Sequence, residues 1–291
     1  MSISIPEPRE ARIIDGPMEN LPSGSASYPL ADPRGGGREV TVFTHKPASF
    51  RPDSPVVVVM HGRSRNGGDY RDWWVADSER HGALVVAPEF SEKHYAHPDE
   101  YNYGAMVEGM RPRPSSGWLF PVVDHIFLDA CRKAGSTAQR YFLFGHSAGG
   151  QIVHRLVTFG WSDRIQRAVA ANSGSYTMPL LEEEFPFGLK GTGFGVEQLR
   201  ALLGRPLLIL LGESDSDPNH HQLPREPGAM RQGPHRFARG RHYFETGRRE
   251  AERLGAVFGW KLATVPDVAH SGQLMSPAAA RLLFAPTAIP A

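Results

Sequence analysis

Ser147 is the side chain around which the candidate chemistry of this chain is arranged. It lies in Gly145-His146-Ser147-Ala148-Gly149, the G-x-S-x-G spacing of a strand-turn-helix that exposes a serine hydroxyl as a nucleophile. Glycine suits the positions two residues to either side, because a Cβ there would collide with the neighbouring strand or helix. The helix that follows would place the positive end of its dipole where negative charge develops during attack. The pattern therefore predicts acyl-transfer chemistry at Ser147.

A serine nucleophile needs a general base, and His270 is the candidate. The chain has 13 histidines, so the presence of one decides nothing. His270 is the last of them, and it lies in the loop between the last predicted strand and the last predicted helix. A near-neutral imidazole there can take the Ser147 proton and return it to the leaving group.

The acid that would orient this histidine is expected in the loop after the apolar run 207–211. Ligand-binding side chains gather in loops at the carboxyl ends of strands in open α/β sheets, and Asp215 lies four residues past that run. Its role would be to hold the tautomer of His270 and to stabilise the imidazolium. Asp217 is the alternative acid, and an aspartate of this loop could also serve only as a turn residue.

Two backbone amides are expected to hold the oxyanion that forms during attack. One is the amide of Ala148, the residue that follows the nucleophile. The other should come from the loop after the apolar run 56–60, where Gly62 permits a tight turn and Arg63 would supply the donor. Ser64 is the near alternative for this second donor.

The elements that must position these residues alternate between strands and helices. Short apolar runs typical of strands buried on both faces occur at 40–43, 56–60, 83–87, 141–144, 165–171, 207–211 and 257–265. Helical patterns separate them at about 69–81, 117–134, 148–160, 197–203, 241–255 and 272–284. The sequence therefore predicts an α/β fold, with a mostly parallel central sheet and helices on both faces.

One catalytic domain is predicted, preceded by an N-terminal arm. Residues 1–37 are rich in Pro, Gly and Ser, which predicts an arm on the surface or in partial disorder. Residues 38–291 carry no dividing linker and no internal repeat, and they form the predicted catalytic domain. Within it, the long loops 91–117 and 176–196 are expected to shape substrate entry.

Composition and charge argue against several classes of partner. A net charge of +1 gives no field for nucleic acid or anionic membranes, and no apolar run reaches the length of a membrane span. Cys131 is the sole cysteine, so neither an intrachain disulfide nor a cysteine metal cluster is expected. Residues 1–12 lack the pattern of a secretory signal, and a cytoplasmic location is expected. No cofactor and no metal are predicted.

Two conspicuous groups of charged or polar residues have an ordinary explanation. His220 and His221 are interpreted as loop histidines, since adjacent side chains rarely converge on one metal ion without other ligands. Seven arginines between 231 and 253 alternate with glutamates, which predicts a solvated, ion-paired helix face. A carboxylate-binding role for Arg239 or Arg241 is the alternative.

Taken together, these motifs resemble those of the α/β-hydrolase superfamily. The resemblance covers about 38–285 and rests on His61-Gly62, the Ser147 motif, Gly212-x-x-Asp215 and His270, in this order. Within the superfamily the chain is similar to poly(3-hydroxybutyrate) depolymerase-like esterases, near the feruloyl and acetylxylan esterases. The resemblance implies a serine esterase that acts through an acyl-enzyme on esters of short hydroxy acids or aryl acids.

The same resemblance leaves the substrate and the reaction type open. Secreted polymer depolymerases usually carry a signal peptide, disulfides and a polymer-binding module, and none is evident here, so a small soluble or oligomeric ester is the expected substrate. A peptidase or an acyltransferase could use the same three side chains, and a hydrolase scaffold can also serve as a non-catalytic binding protein. The sequence gives no indication of oligomeric state.

Overall fold

The computed structural model describes residues 20–109 and 111–285. Helices cover both faces of one large sheet, and a two-stranded ribbon lies apart from it. The strands are β1 (Gly24–Ala31), β2 (Glu39–Lys46), β3 (Val56–Met60), β4 (Leu84–Glu89), β5 (Val107–Glu108), β6 (Arg111–Pro112), β7 (Tyr141–His146), β8 (Ile165–Ala171), β9 (Leu207–Gly212) and β10 (Lys261–Val265). The helices are α1 (Gly67–Trp73), α2 (Val75–His81), α3 (Phe120–Ala134), α4 (Ala148–Phe159), α5 (Val196–Gly204), α6 (Pro227–Gln232), α7 (Arg236–Leu254) and α8 (Gly272–Phe284).

The large sheet is mostly parallel, as predicted. Over the described residues its eight strands run in the order β1-β2-β4-β3-β7-β8-β9-β10, and only the pairs β1/β2 and β2/β4 are antiparallel. Every residue of β3, β7 and β9 is buried, which is why these strands read as continuous apolar runs. The predicted α/β fold class is therefore confirmed.

Alternate side chains of the central strands enter two separate cores. Val57 and Val59 pack on the side that carries α1, α2 and α8, whereas Val56 and Val58 pack on the side that carries α3, α4, α5 and α7. This alternation follows from the period of two along a strand. Both faces of the sheet are thereby sealed, and the loops at the carboxyl ends of the strands are left to form the site.

Part of the predicted N-terminal arm is an edge strand. Gly24–Ala31 forms β1 and pairs with β2 along its whole length, so this stretch of the predicted arm 1–37 belongs to the sheet. Its sequence lacks the apolar run that indicates a strand, because among its eight residues only Tyr28 is buried. Residues 1–19 lie outside the described part of the chain, and the division into an arm and the domain 38–291 stays a prediction.

Two predicted elements start four or more residues away from their predicted first residues. The strand predicted over 257–265 covers only Lys261–Val265. The amide of Gly259 donates to Leu203 O of α5 at 2.8 Å, so the chain before Lys261 is bonded to α5 and does not pair with β9. The helix predicted from 241 begins at Arg236. None of the helices that the structure describes has the length and apolar character needed to cross a bilayer.

Leu143→Ala should lower the free energy of unfolding by about 2–5 kcal/mol, since the side chain is fully buried in β7 and its loss leaves a cavity. Leu274→Ala is the matched control, because Leu274 is 57% exposed on α8 and should change the stability by less than about 0.5 kcal/mol. Urea unfolding measures both. Equal destabilisation by the two substitutions would contradict the packing described here.

Candidate active site

The turn between β7 and α4 holds Ser147 in a strained backbone conformation. Ser147 has φ 60° and ψ −117°, a region that costs a residue with a Cβ roughly 1–3 kcal/mol. Its amide donates to Ala171 O of β8 at 2.9 Å, and its carbonyl accepts from Gln151 N at 3.0 Å. These two bonds hold the strained turn from both sides.

Close backbone contacts explain the glycines on either side of this turn. A Cβ on Gly145 would lie 2.2 Å from Gly149 O at the start of α4. A Cβ on Gly149 would lie 2.2 Å from Met60 O and 2.7 Å from His61 O, at the end of β3. The helix can therefore start directly beside the neighbouring strand only because both residues are glycine.

Three loops bring Ser147, His270 and Asp215 into one hydrogen-bonded chain. His270 follows β10, and its Nε2 lies 2.9 Å from Ser147 Oγ. Asp215 follows β9, and its Oδ2 lies 2.8 Å from His270 Nδ1. With Nδ1–H donating to the carboxylate, Nε2 is free to accept the serine proton. The acid loop and the histidine loop are also joined by a bond from Ser214 N to Val268 O at 3.0 Å.

Asp217, the alternative acid, lies elsewhere in its loop. Its carboxylate is exposed and accepts from Asn219 N at 2.8 Å, which is the ordinary use of an aspartate in a turn. Asp215 is 3% exposed and contacts His270. The structure thus brings Asp215, and not Asp217, to the histidine.

The surroundings of His270 disfavour its charged form. Burial lowers the pKa of His270 below its usual value, the hydrogen bond that His270 donates to Asp215 opposes this change, and the positive charge of Arg236 reinforces it. The neighbouring His146 is fully buried, and burial together with His270 lowers its pKa as well. A neutral imidazole, the form that can act as a base, is therefore favoured at His270.

The loop after β3 lies against the serine, as the predicted oxyanion site requires. A Cβ on Gly62 would lie 3.7 Å from Ser147 Cβ, so this backbone passes directly beside the nucleophile. Arg63 and Ser64 follow with exposed side chains. Ala148 is the first residue of α4, where a backbone N–H has no acceptor within the helix. Which amides act as donors stays a prediction.

His61 gives this loop its shape. Its Nδ1–H donates to Gly62 O at 2.8 Å, and its Nε2 accepts from Phe90 N at 3.0 Å, which requires the neutral ring. Complete burial lowers the pKa of His61 to about 3, in agreement with that form. Tyr101 stacks on the ring at 4.4 Å between centroids and donates to His61 O at 2.7 Å. His61 and Tyr101 are therefore structural supports of the predicted oxyanion loop.

Two solved structures resemble the chain over most of its length. Poly(aspartic acid) hydrolase-1 from Sphingomonas sp. KT-1 is 40% identical, with a TM-score of 0.86 over 91% of this chain and 100% of its own. LpqC, a poly(3-hydroxybutyrate) depolymerase from Bordetella parapertussis, is 42% identical, with a TM-score of 0.85 over 91% of this chain and 92% of its own. The chain belongs to the poly(3-hydroxybutyrate) depolymerase-like family of α/β hydrolases.

This depolymerase-like protein is a serine ester hydrolase, and the family, fold and enzyme class predicted from the sequence are confirmed. An S-formylglutathione hydrolase from Agrobacterium tumefaciens, 18% identical with a TM-score of 0.54 over 91% of this chain and 95% of its own, shares the fold. No protein-family model matches the sequence, and no curated protein does.

The depolymerase-like site also contains residues that the sequence did not assign to it. His220, interpreted as a loop histidine, packs edge-on against His270 with 5.3 Å between ring centroids, and His221 stacks on His220 at 4.8 Å. Arg236, predicted on a solvated helix face, is 1% exposed and lies 3.4 Å from Asp215 Oδ1. A helical period that starts at 236 rather than 241 would have placed Arg236 on the buried face with Tyr243.

The other arginines of this stretch do not share one environment. Arg248 and Arg253 form exposed ion pairs with glutamates of the same helix, as predicted. Arg239 is fully buried and donates to the carbonyls of Gly233 at 2.9 Å and Gly174 at 2.6 Å, so the predicted solvated face is wrong for this residue.

Gly149→Ala should lower esterase activity by about 10²-fold or more, because the new methyl group must displace the end of β3 and with it the nucleophile turn. Gly117→Ala is the control, since no heavy atom lies within 4 Å of its Cβ position and its φ is not positive. Ester hydrolysis and Tm are measured for both variants. Wild-type turnover in Gly149→Ala would show that the close approach to Met60 O is not required.

Proposed function

We propose that this depolymerase-like enzyme hydrolyses short-chain or hydroxy-acid esters through an acyl-enzyme formed on Ser147. The observation that carries the proposal is the unbroken hydrogen-bond chain from Ser147 Oγ through His270 to Asp215. Nucleophile, base and acid side chains in hydrogen-bond sequence are the signature of nucleophilic acyl transfer. The burial that keeps His270 neutral suits the same role.

The first half of the reaction forms the acyl-enzyme. His270 Nε2 takes the proton from Ser147 Oγ as that oxygen attacks the ester carbonyl carbon, and the carbonyl oxygen becomes an oxyanion. Asp215 stabilises the imidazolium through Nδ1–H. When the intermediate collapses, the bond to the alcohol oxygen breaks, and His270 returns the proton to that oxygen. The alcohol leaves, and the acyl group stays on Ser147.

The second half repeats these steps with water. His270 takes a proton from the water, whose oxygen attacks the acyl carbon of the Ser147 ester. Collapse of the second intermediate breaks the bond to Oγ, and the proton held by His270 goes to that oxygen. The carboxylic acid is released, and the enzyme regains its starting state.

The amides of Ala148 and Arg63 are the proposed donors to both oxyanions, with Ser64 as the alternative to Arg63. Ala148 N–H lies at the start of α4, where the helix dipole also favours negative charge. The backbone at Gly62 beside Ser147 supports a second donor from the next residues of that loop. Each such donor typically contributes on the order of 10²–10³ in turnover.

Short esters of 3-hydroxy acids are the proposed substrates. The support is LpqC, named for poly(3-hydroxybutyrate), a polyester, and 42% identical to this chain. The second candidate is amide hydrolysis in acidic oligomers. It is favoured by the hydrolase named for poly(aspartic acid), a polyamide, which is 40% identical. An exposed arginine beside the nucleophile loop, Arg63, suits a substrate that carries carboxylates.

A reducing compartment such as the cytoplasm is the proposed location. Cys131, the one cysteine, is buried, and nothing in the chemistry proposed here needs it oxidised. The proposed partner is the ester substrate, small or oligomeric, with no nucleic acid and no membrane.

Ser147→Ala should lower the hydrolysis of p-nitrophenyl butyrate by on the order of 10³-fold or more, because no other group can carry the acyl intermediate. Ser116→Ala, an exposed serine in a turn, is the control and should keep wild-type kcat/KM. Release of p-nitrophenol is measured at equal protein concentration. Undiminished hydrolysis by Ser147→Ala would place the activity at another residue.

Asp215→Asn should lower kcat by about 10³–10⁴-fold, since an amide facing Nδ1 disrupts the tautomer that lets Nε2 accept the serine proton. Asp217→Asn is the matched control and should stay within about twofold of wild type, because its carboxylate serves only a turn. The two variants are compared by saturation kinetics. A larger loss in Asp217→Asn than in Asp215→Asn would reverse the assignment of the acid.

The substrate proposal is tested by comparing linear 3-hydroxybutyrate trimer with an aspartic acid oligomer of similar length, using chromatography of the products. A kcat/KM at least about tenfold higher for the ester is expected, because resonance with nitrogen makes an amide carbonyl less electrophilic than an ester carbonyl. Preferential cleavage of the aspartic acid oligomer would instead support the amide alternative.

Glycerol added as a competing acceptor would reveal acyl transfer by forming a glycerol ester.

A further inference from the structure

Arg236 is a buried cation in direct contact with the proposed catalytic acid. Its side chain is 1% exposed, and its Nη1 lies 3.4 Å from Asp215 Oδ1. The other oxygen of the same carboxylate, Oδ2, binds His270 Nδ1 at 2.8 Å. Asp215 is thus shared between a guanidinium on one side and the imidazole on the other.

The first turn of α7 is joined to the acid loop, which determines where Arg236 can reach. Phe237 N donates to Asp215 O at 3.1 Å, and the helix begins one residue earlier. This backbone bond to Asp215 places the Arg236 side chain beside the carboxylate of Asp215. The contact between Arg236 and Asp215 therefore follows from the position of the first turn of α7.

The other nitrogens of the Arg236 guanidinium, Nη2 and Nε, have few hydrogen-bond partners to offset the cost of burial. Nη2 lies 3.4 Å from His220 Nδ1, and Nε has no hydrogen-bond partner among the described residues. Burial lowers the pKa of Arg236, and Asp215 opposes that change. Since an isolated buried charge is costly, the carboxylate of Asp215 is the main compensation for this cation.

We propose that Arg236 is a positioning residue of the esterase: it fixes the second oxygen of Asp215, and its charge opposes protonation of His270. The inference rests on the proposed function for its effect on turnover, but its effect on His270 can be measured without any substrate. Through Nη2, the same side chain also contacts His220, whose ring packs edge-on against that of His270.

The charged and titratable groups that face His270 come from four places in the fold. They are Asp215, His220 and His221 of the loop after β9, Arg236 of α7, His146 at the end of β7 and, behind His146, Tyr70 of α1, whose hydroxyl lies 3.0 Å from His146 Nδ1. Of these, Asp215 raises the pKa of His270, whereas Arg236 and His221 lower it. Removing the positive charge of Arg236 must therefore raise the pKa of the base.

A higher pKa of His270 in the absence of the Arg236 charge should change the pH profile of the enzyme. The acid limb of kcat/KM reports the pKa of the base in the free enzyme. In Arg236→Gln the limb should move to higher pH by about one unit, the usual size of an effect from one nearby charge. The plateau should also fall by on the order of tenfold or more, because Asp215 loses the contact that holds it. Arg236→Lys keeps the charge without the planar fork, so its limb should stay near that of wild type.

Arg239→Gln is the matched control on the same helix. Arg239 is equally buried, but it donates to backbone carbonyls and to the sulfur of Met230. Its loss should lower Tm and leave the acid limb in place. An equal shift of the limb in Arg239→Gln would show that the effect is not specific to the contact with Asp215, and it would overturn the inference.

NMR titration of the His270 imidazole in the same variants separates the inference from the proposed function. A rise in the His270 pKa in Arg236→Gln, with wild-type behaviour in Arg236→Lys, supports the inference even if no ester is turned over. An unchanged His270 pKa in folded Arg236→Gln overturns it even if Ser147 proves to be the nucleophile. Should Arg236→Gln fail to fold, a His270 pKa in Arg236→Lys displaced as far as one unit would contradict the role assigned to the charge.

Discussion

The strained turn at Ser147 is the constraint on which the rest of the site depends. A serine with positive φ is tolerated there because its amide is bound to Ala171 O and because glycines at 145 and 149 let α4 begin against β3. That close approach also brings the backbone at Gly62 beside the serine, so that nucleophile and predicted oxyanion loop are placed by one packing arrangement. Backbone strain of this kind persists only where its surroundings determine it.

The second organising feature is a buried carboxylate with two cationic or potentially cationic neighbours. Asp215 contacts His270 through one oxygen and Arg236 through the other. The positive charge of Arg236 compensates the negative charge of Asp215. The same positive charge disfavours the imidazolium form of His270, which Asp215 alone would stabilise. In a site of low dielectric these terms are large compared with their values in water, so small changes of geometry alter the strength of the base.

The sequence predicts the fold for identifiable physical reasons, and the structure brings the candidate residues Ser147, His270 and Asp215 within hydrogen-bond distance of one another. Strands β3 and β8 have the predicted limits because β3 is buried throughout and β8 over most of its length, and the G-x-S-x-G motif lies where the predicted strand gives way to the predicted helix. Asp215 could not be separated from Asp217 by sequence, since only the path of the loop decides which carboxylate faces His270. The sequence predicts a solvated Arg236, because an exposed and a buried arginine cannot be distinguished in a segment whose other arginines form surface ion pairs. The strand β1 was missed because, at the edge of the sheet, it needs few apolar residues.

The most direct measurement of the central claim is covalent labelling with a fluorophosphonate, followed by peptide mass spectrometry, in wild type and in His270→Gln. The account predicts one adduct, on Ser147, formed rapidly in wild type and on the order of 10³-fold more slowly without the base, because the hydroxyl then lacks its proton acceptor. An adduct on any other residue, or labelling of Ser147 at the same rate in both proteins, would contradict the assignment of Ser147 and His270 as nucleophile and base.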